Sequence, residues 1–371
     1  MGVSLLALVP GAALVLVVAW DIMLTLLHPT ARGPLSYAAN RATWSAARAV
    51  SIRLLGGRGL SYAGPLAVVM NVYAWVLTLW LGYALIYLPF VDSLAYDPSA
   101  SFEGKGFPEA LYLSGAALTT VGFGDVAAND DILRLVTTVE AASGFGVLSA
   151  AIAFVLSLYP LISHLRSTSI QLADAGGLGL HGAARIVREG GPGELSAIIR
   201  GLTQNHEHFR RFPVLYYFES GNREESLSAI VRSSSLLLAA MHADAKAEGG
   251  HPSMYAEALG HVIIRLLNDL ERDFVHGRRR LVAEPRGRQE DADARLTALF
   301  DTLDPNGGHD REPESERVEL AALLVRAERV LEAVAKEHGH QAHPLLPELR
   351  VDARESDVTA MGFRSARPPA P

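Results

Sequence analysis

Apolar residues run almost without interruption through three stretches, Leu5 to Leu27, Leu66 to Phe90 and Ile132 to Tyr159. A bilayer core about 30 Å thick needs on the order of 20 helical residues to cross it, so each stretch predicts a spanning helix. The first has no basic residue from Met1 to Trp20 and stays apolar through Leu27, which reads as a retained helix rather than a cleaved leader. From Val91 to Asp131 the chain is too long for a plain connection between two helices. Within it, Pro108 and Glu109 suit a helical first turn, where proline lacks only an orphan N–H and an acid meets the positive dipole end, so a short re-entrant helix is expected over Pro108 to Leu118. Beyond Leu165 a Gly-rich connector (Gly176, Gly177, Gly179, Gly182, Gly190, Gly191, Gly193) leads into segments with apolar residues three and four apart. These predict helices over Glu194 to Arg210, Arg223 to Ala247, Ser253 to Leu281, Glu290 to Leu303 and Ser315 to Glu337, with Pro213 to Phe218 as a short strand or buried turn. The expected class is an all-α membrane protein: three transmembrane helices with a re-entrant helix between the last two, then a mainly helical domain.

Charge orients this picture. Arg32, Arg41, Arg48, Arg53 and Arg58 fall between the first two spans, with no acid from Ile22 to Val91, which places that loop in the cytoplasm. Asp92, Asp97, Glu103, Glu109, Asp125, Asp130 and Asp131 stand against Lys105 alone around the re-entrant segment, so that side faces outward. The amino terminus is then outside and the carboxyl-terminal half cytoplasmic, in the cell (inner) membrane. Residues 33–57 mix Leu35, Trp44, Val50, Ile52, Leu54 and Leu55 with arginines, as in a helix along the inner headgroup layer whose Arg41, Arg48 and Arg53 reach anionic lipid. The chain has no cysteine, which excludes disulfides and thiolate metal sites, and its net charge of -7 makes no case for nucleic acid.

The candidate chemistry lies in Thr119-Thr120-Val121-Gly122-Phe123-Gly124-Asp125. A ring of backbone carbonyls can replace the water shell of K⁺ if successive carbonyls point the same way. That requires alternation between ordinary and left-handed backbone, which glycine adopts without a Cβ penalty, and Gly122 and Gly124 stand at alternate positions. The carboxyl end of the preceding helix would aim its negative dipole end at a cation near the membrane centre.

The segment resembles the selectivity filter of the potassium channel pore-loop family, in a Gly-Phe-Gly version. The resemblance covers about Leu66 to His164 and is most specific over those seven residues. It implies carbonyl coordination of K⁺ by Thr120, Val121, Gly122 and Phe123, hydroxyl coordination by Thr120, and support from Thr119, Gly124 and a structural Asp125. Phe123 replaces the commoner tyrosine, removing a hydroxyl that can bond to the pore helix. The resemblance also implies a homotetramer, since each chain supplies one loop, and K⁺ as permeant ion with no cofactor. The third span would line the inner pore, with Gly144, Gly146 and Pro160 as hinge or gate candidates; small residues there also serve close helix packing.

Glu140 lies roughly 13 Å into the third span at 1.5 Å per residue. A carboxyl at that depth predicts a brace for the pore helix, with Thr119 or Ser114 as donor. Asp21 in the first span is expected to pair with an arginine or His28.

The chain thus divides into an extra helix (1–30), a basic interfacial segment (31–60), a pore module (61–165), a Gly-rich linker (166–193), a helical cytoplasmic domain (194–345) and a tail (346–371). Gly177 to Gly182 matches a dinucleotide fingerprint but lacks the preceding strand and βαβ unit. Asp304 to Asp310 evokes a calcium loop, yet its sixth position is His309 and its twelfth Ser315, so it reads as a turn. All but one of the 13 histidines, including His206, His208, His338, His340 and His343, lie from His164 onward and read as surface groups. Arg278 to Arg280 read as a basic helix end. No catalytic constellation and no Arg-repeat voltage sensor emerges, so the expectation is passive K⁺ conduction gated by the cytoplasmic domain, and not an enzyme. The competing reading is a signalling or scaffolding protein anchored by a weakly conducting pore.

Overall fold

In a computed structural model, the described residues are 6–28, 33–54, 60, 62–97, 106–176, 180–218, 226–247, 253–273, 294, 296–297, 300 and 314–337. Helix α1 (Leu8–Leu26) is apolar except near its end, α2 (Pro34–Leu54) is amphipathic, and α3 (Ala63–Tyr87) is apolar again and runs on as a 3-10 turn through Ser93. The re-entrant helix α4 (Phe107–Leu118) comes next, and then α5 (Asp131–Gly176), which contains Pro160. Helices α1, α3 and α5 are long and apolar enough to cross a membrane, as the three apolar stretches predict. Strands β1 (Ala95–Tyr96) and β2 (Val126–Ala127) pair antiparallel on either side of α4, Ala95 opposite Ala127 and Tyr96 opposite Val126, closing the segment that carries the loop.

Glycine sets the approach of α1 to α3. A Cβ on Gly11 would meet the Gly82 carbonyl oxygen at 2.6 Å, and one on Gly82 would meet the Gly11 carbonyl oxygen at 3.1 Å. The two backbones therefore cross in contact, as small residues permit in membranes. Near the other end of α1, Asp21 is fully buried. Its Oδ1 accepts the Leu35 N–H at 2.7 Å and its Oδ2 the Trp75 indole N–H at 2.8 Å, while Ser36 donates both its N–H and its hydroxyl. A cap of neutral donors thus replaces the expected arginine or His28: the carboxylate sits at the positive end of α2, where amide N–H groups already favour an anion. Gly33 makes room for it, since a Cβ there would run into the carboxyl group. Asp21→Ala leaves buried donors from two helices without an acceptor, at about 1–3 kcal/mol each. A fall of several degrees in the thermal unfolding midpoint in detergent is the expected result, and an unchanged midpoint would show that the node carries no stability.

The Gly-rich connector expected at 166–193 is helical for most of its length. Helix α5 passes through Pro160 to Gly176, and α6 (Leu180–Glu189) precedes α7 (Pro192–Arg211). Burial explains the continuity, since Leu165, Thr168, Ser169 and Leu172 form a stripe at three- and four-residue spacing that packs inward. Pro213–Tyr217 is a buried 3-10 turn, so the turn alternative holds and the strand does not. Helices α8 (Leu227–Ala247), α9 (Met254–Asp273) and α10 (Glu314–Glu337) match the predicted helical segments. Of the segment predicted from Glu290, the described residues Ala294, Leu296, Thr297 and Phe300 are helical, with Leu296 and Phe300 buried.

Helix α8 is the centre of this half, packed by α5, α6, α9 and α10. Its buried Ser234 and Ser235 donate to the carbonyls of Ile230 and Val231, each at 2.7 Å, so these hydroxyls enter an apolar core already satisfied. Arg326 ties α10 to α9 with a bidentate bond to Glu271 at 2.6 and 2.7 Å. The calcium-like turn at 304–310, Arg278 to Arg280, the group His338, His340 and His343, Gly177 and Gly179 of the fingerprint and the tail from 346 lie outside the described residues.

Candidate functional site

Helix α4 is built to present the loop at its carboxyl end. Pro108 occupies its first turn, and the Glu109 carboxylate accepts the Gly106 N–H at 2.7 Å, closing the amino end. At the other end the loop folds back on the helix. Thr119 N–H donates to Gly115 O at 3.1 Å, Thr120 N–H to Ala117 O at 3.0 Å, and Val121 and Gly122 N–H both to Ala116 O at 3.0 and 3.2 Å. Carbonyls that a helix end leaves orphaned are thereby used by the loop's amides. Among the described residues, none of these backbone bonds ends on a carbonyl of Thr120, Val121, Gly122 or Phe123. Residues 119–122 thus give their amide donors to the helix and keep the carbonyls of Thr120, Val121 and Gly122 as acceptors.

The backbone alternates as the glycine spacing predicts, and further. Gly122 and Gly124 have φ of 56° and 82°, and Thr120 has φ of 58°. Every second residue from 120 to 124 is therefore left-handed. For a β-branched threonine this is strained, by roughly 1–2 kcal/mol, and strain of this kind concentrates where geometry serves function.

Two braces hold the loop. At its carboxyl-terminal end Asp125 accepts the Tyr112 hydroxyl at 2.8 Å and the Val126 N–H at 3.1 Å, while its own carbonyl accepts the Asp97 N–H at 2.9 Å. The Phe123 ring stacks near Tyr112 at 6.3 Å and 14°. Tyr112 thus supplies a phenol on the helix side where Phe123 lacks one.

Behind the helix, Glu140 is fully buried. Its Oε1 accepts the Ser114 hydroxyl at 2.5 Å and its Oε2 the Tyr87 hydroxyl at 2.6 Å, so one carboxyl joins α3, α4 and α5. Ser114 is one of the two donors the sequence suggested. The other, Thr119, turns its hydroxyl to Gly115 O at 2.6 Å instead. Trp80 adds an indole N–H to Leu111 O at 2.8 Å from α3. Tyr87 and Tyr112 were missed by sequence reasoning; the available signal was a tyrosine hydroxyl inside otherwise apolar helical segments, which needs a partner.

The hinge candidates separate by their surroundings. A Cβ on Gly144 would collide with the carbonyl oxygen of Leu118, so this glycine lets α5 touch the end of α4. Gly146 faces open space, with nothing within 4 Å of a Cβ. Pro160 lies within the unbroken helix α5. Val121 and Phe123 are 54% and 70% exposed in the single chain, apolar side chains left uncovered beside the loop.

Residues 74–159 match a family model described as an ion channel. The uncharacterized membrane protein YdjJ of Bacillus subtilis (strain 168) is 26% identical over 213 residues, which cover 54% of this chain and 59% of that protein. The chain thus matches about three-fifths of that relative's length. No solved structure matches. The latter part of α3, the re-entrant helix α4, the backbone-braced loop and the first part of α5 succeed one another inside the matched stretch, and there the chain resembles the pore module of the potassium channel type of ion channel family.

Proposed function

We propose that four copies of this chain assemble around one axis and conduct K⁺ passively between their 119–125 loops. The observation that carries this reading is the left-handed backbone at Thr120, Gly122 and Gly124, alternating with Val121 and Phe123. Such alternation turns successive carbonyls toward a common axis, where four copies supply the oxygen cage a dehydrated cation needs. Thr120 adds its hydroxyl at the inner end, and Thr119, Gly124, Asp125 and Glu140 hold the loop in place. The exposed Val121 and Phe123 side chains support assembly, because neighbouring copies would cover them. Gly146, open on α5, and Pro160 are the gate positions, while Gly144 serves packing.

The run of arginines before α3 and of acids around α4 supports an outward-facing loop and cytoplasmic carboxyl-terminal helices in the cell membrane. Arg41 and Arg53 are exposed on α2 and suited to anionic lipid. Planar-bilayer recording of the purified protein under a K⁺/Na⁺ gradient tests the proposal. Currents reversing near the K⁺ equilibrium potential and blocked by barium are expected. A reversal potential indifferent to K⁺, or an assembly that is not fourfold, would overturn it, and absent flux would favour the anchored-scaffold reading.

A further inference from the structure

The carboxyl-terminal half grips α5 on both sides of Pro160. Before the proline, Phe154 is 2% exposed and lies between Trp75 of α3, with ring centroids 5.9 Å apart, and Phe212 of the turn after α7, at 6.2 Å. After it, the two ring nitrogens of His164 lie 2.9 Å from Asn205 Oδ1 and 2.8 Å from Gln204 Oε1, both on α7. His208, also on α7, meets His164 edge-on at 5.3 Å. Burial first, then the neighbouring His164 and Arg211, hold the His208 pKa below its ordinary value, which favours the neutral ring. One turn further, Gly201 allows α7 to close on Thr168: a Cβ there would stand 3.2 Å from Oγ1 and 3.9 Å from Cβ of the threonine.

The turn itself is fastened to the helices that frame the bundle. Tyr216 and Tyr217 pack on Trp44 of α2, with ring centroids 6.4 and 5.1 Å away, and Phe218 fills the space that the missing side chain of Gly64 leaves at the start of α3. Val214, Leu215 and Tyr216 are each 2% exposed. Phe154 and His164 are about 15 Å apart along the helix. Between them Pro160 lacks the N–H that would bond to the preceding turn, and its ring crowds that turn, which makes it the weak point of α5. A helix held at both ends of its weak point cannot bend there unless one hold is released.

We propose that α7 and the aromatic turn Phe212–Phe218 form a latch that keeps α5 straight across Pro160, so that the carboxyl-terminal half acts on the pore by docking or releasing this turn. The inference rests on the channel reading above and names its regulatory contact. An effector bound elsewhere on this half shifts the pore only as far as it favours the docked or the released turn.

The cysteine-free sequence offers a direct test. Gly201→Cys with Thr168→Cys introduces a pair at a Cβ separation suited to a disulfide. Phe212→Ala removes the contact with Phe154. Single-channel open probability is measured for the parent, for Phe212→Ala, and for the cysteine pair oxidised and then reduced. The latch requires Phe212→Ala to change open probability at least tenfold, oxidation to move it the opposite way, and reduction to return the pair to parental gating. Should Phe212→Ala fail to fold, Phe212→Leu, which keeps an apolar side chain but removes the ring contact with Phe154, takes its place with the same expected direction. Parental gating in both variants, or a shift in the same direction in both, would overturn the latch while leaving conduction intact. A parent that passes no K⁺ would instead overturn the channel reading.

Discussion

Gly122→Ala should abolish measurable K⁺ flux into liposomes, by at least a hundredfold, while the protein still folds and assembles. At φ of 56° an added Cβ costs roughly 1–2 kcal/mol per chain, and in the proposed tetramer four copies bear it on one axis. The space around Gly122 is open, so the penalty is conformational rather than steric. The cheapest relief is rotation of the peptide out of the left-handed region, which turns a carbonyl away from the axis. Rubidium uptake by proteoliposomes reads this, with circular dichroism as the folding control. Uptake within a few-fold of the parent would mean that these carbonyls do not line the path.

Loss of the rear brace should rank next. Glu140→Ala removes a carboxyl that accepts two hydroxyls from two different helices, and each buried hydroxyl left without its acceptor costs about 1–3 kcal/mol. The end of α4 then loses its fixed distance from α5. Because about 1.4 kcal/mol is a factor of ten in an equilibrium, we expect K⁺/Na⁺ permeability to drop at least tenfold, with lower heat stability. Glu140→Gln keeps one acceptor and should fall between. Unchanged selectivity and open probability in Glu140→Gln would show that Glu140 does not brace the loop.

Legibility tracks how locally each feature is determined. Residues 119–125 are readable because alternating handedness is a demand on single residues, and glycine answers it at 122 and 124. Thr120 is not, since threonine has no preference for the positive φ it adopts. Ser114 is legible as a donor to Glu140 because a carboxyl in a span must have one. Tyr87 and Tyr112 escape because which tyrosine reaches which carboxyl depends on how three helices pack. Asp21 invites a charged partner on the same reasoning as Glu140. The helix amino end and the indole that replace it come from residues 14 and 54 positions away. In the connector, glycines at 176 to 179 suggest a break from 166 onward. The stripe of Leu165, Thr168 and Leu172 instead carries α5 on to Gly176, because contact with α7 outweighs the nearby glycines.

The length of α5 has a mechanical consequence. Its 46 residues span about 69 Å, more than twice the bilayer core, and about 24 Å of that lies beyond Pro160. A tilt of roughly 15° at the proline would sweep the far tip through about 6 Å, given that rise per residue. In the proposed channel, release of the latch would let the far tip swing by that distance while the turns next to the proline move little, so a large displacement at one end of α5 reaches the pore as a small one.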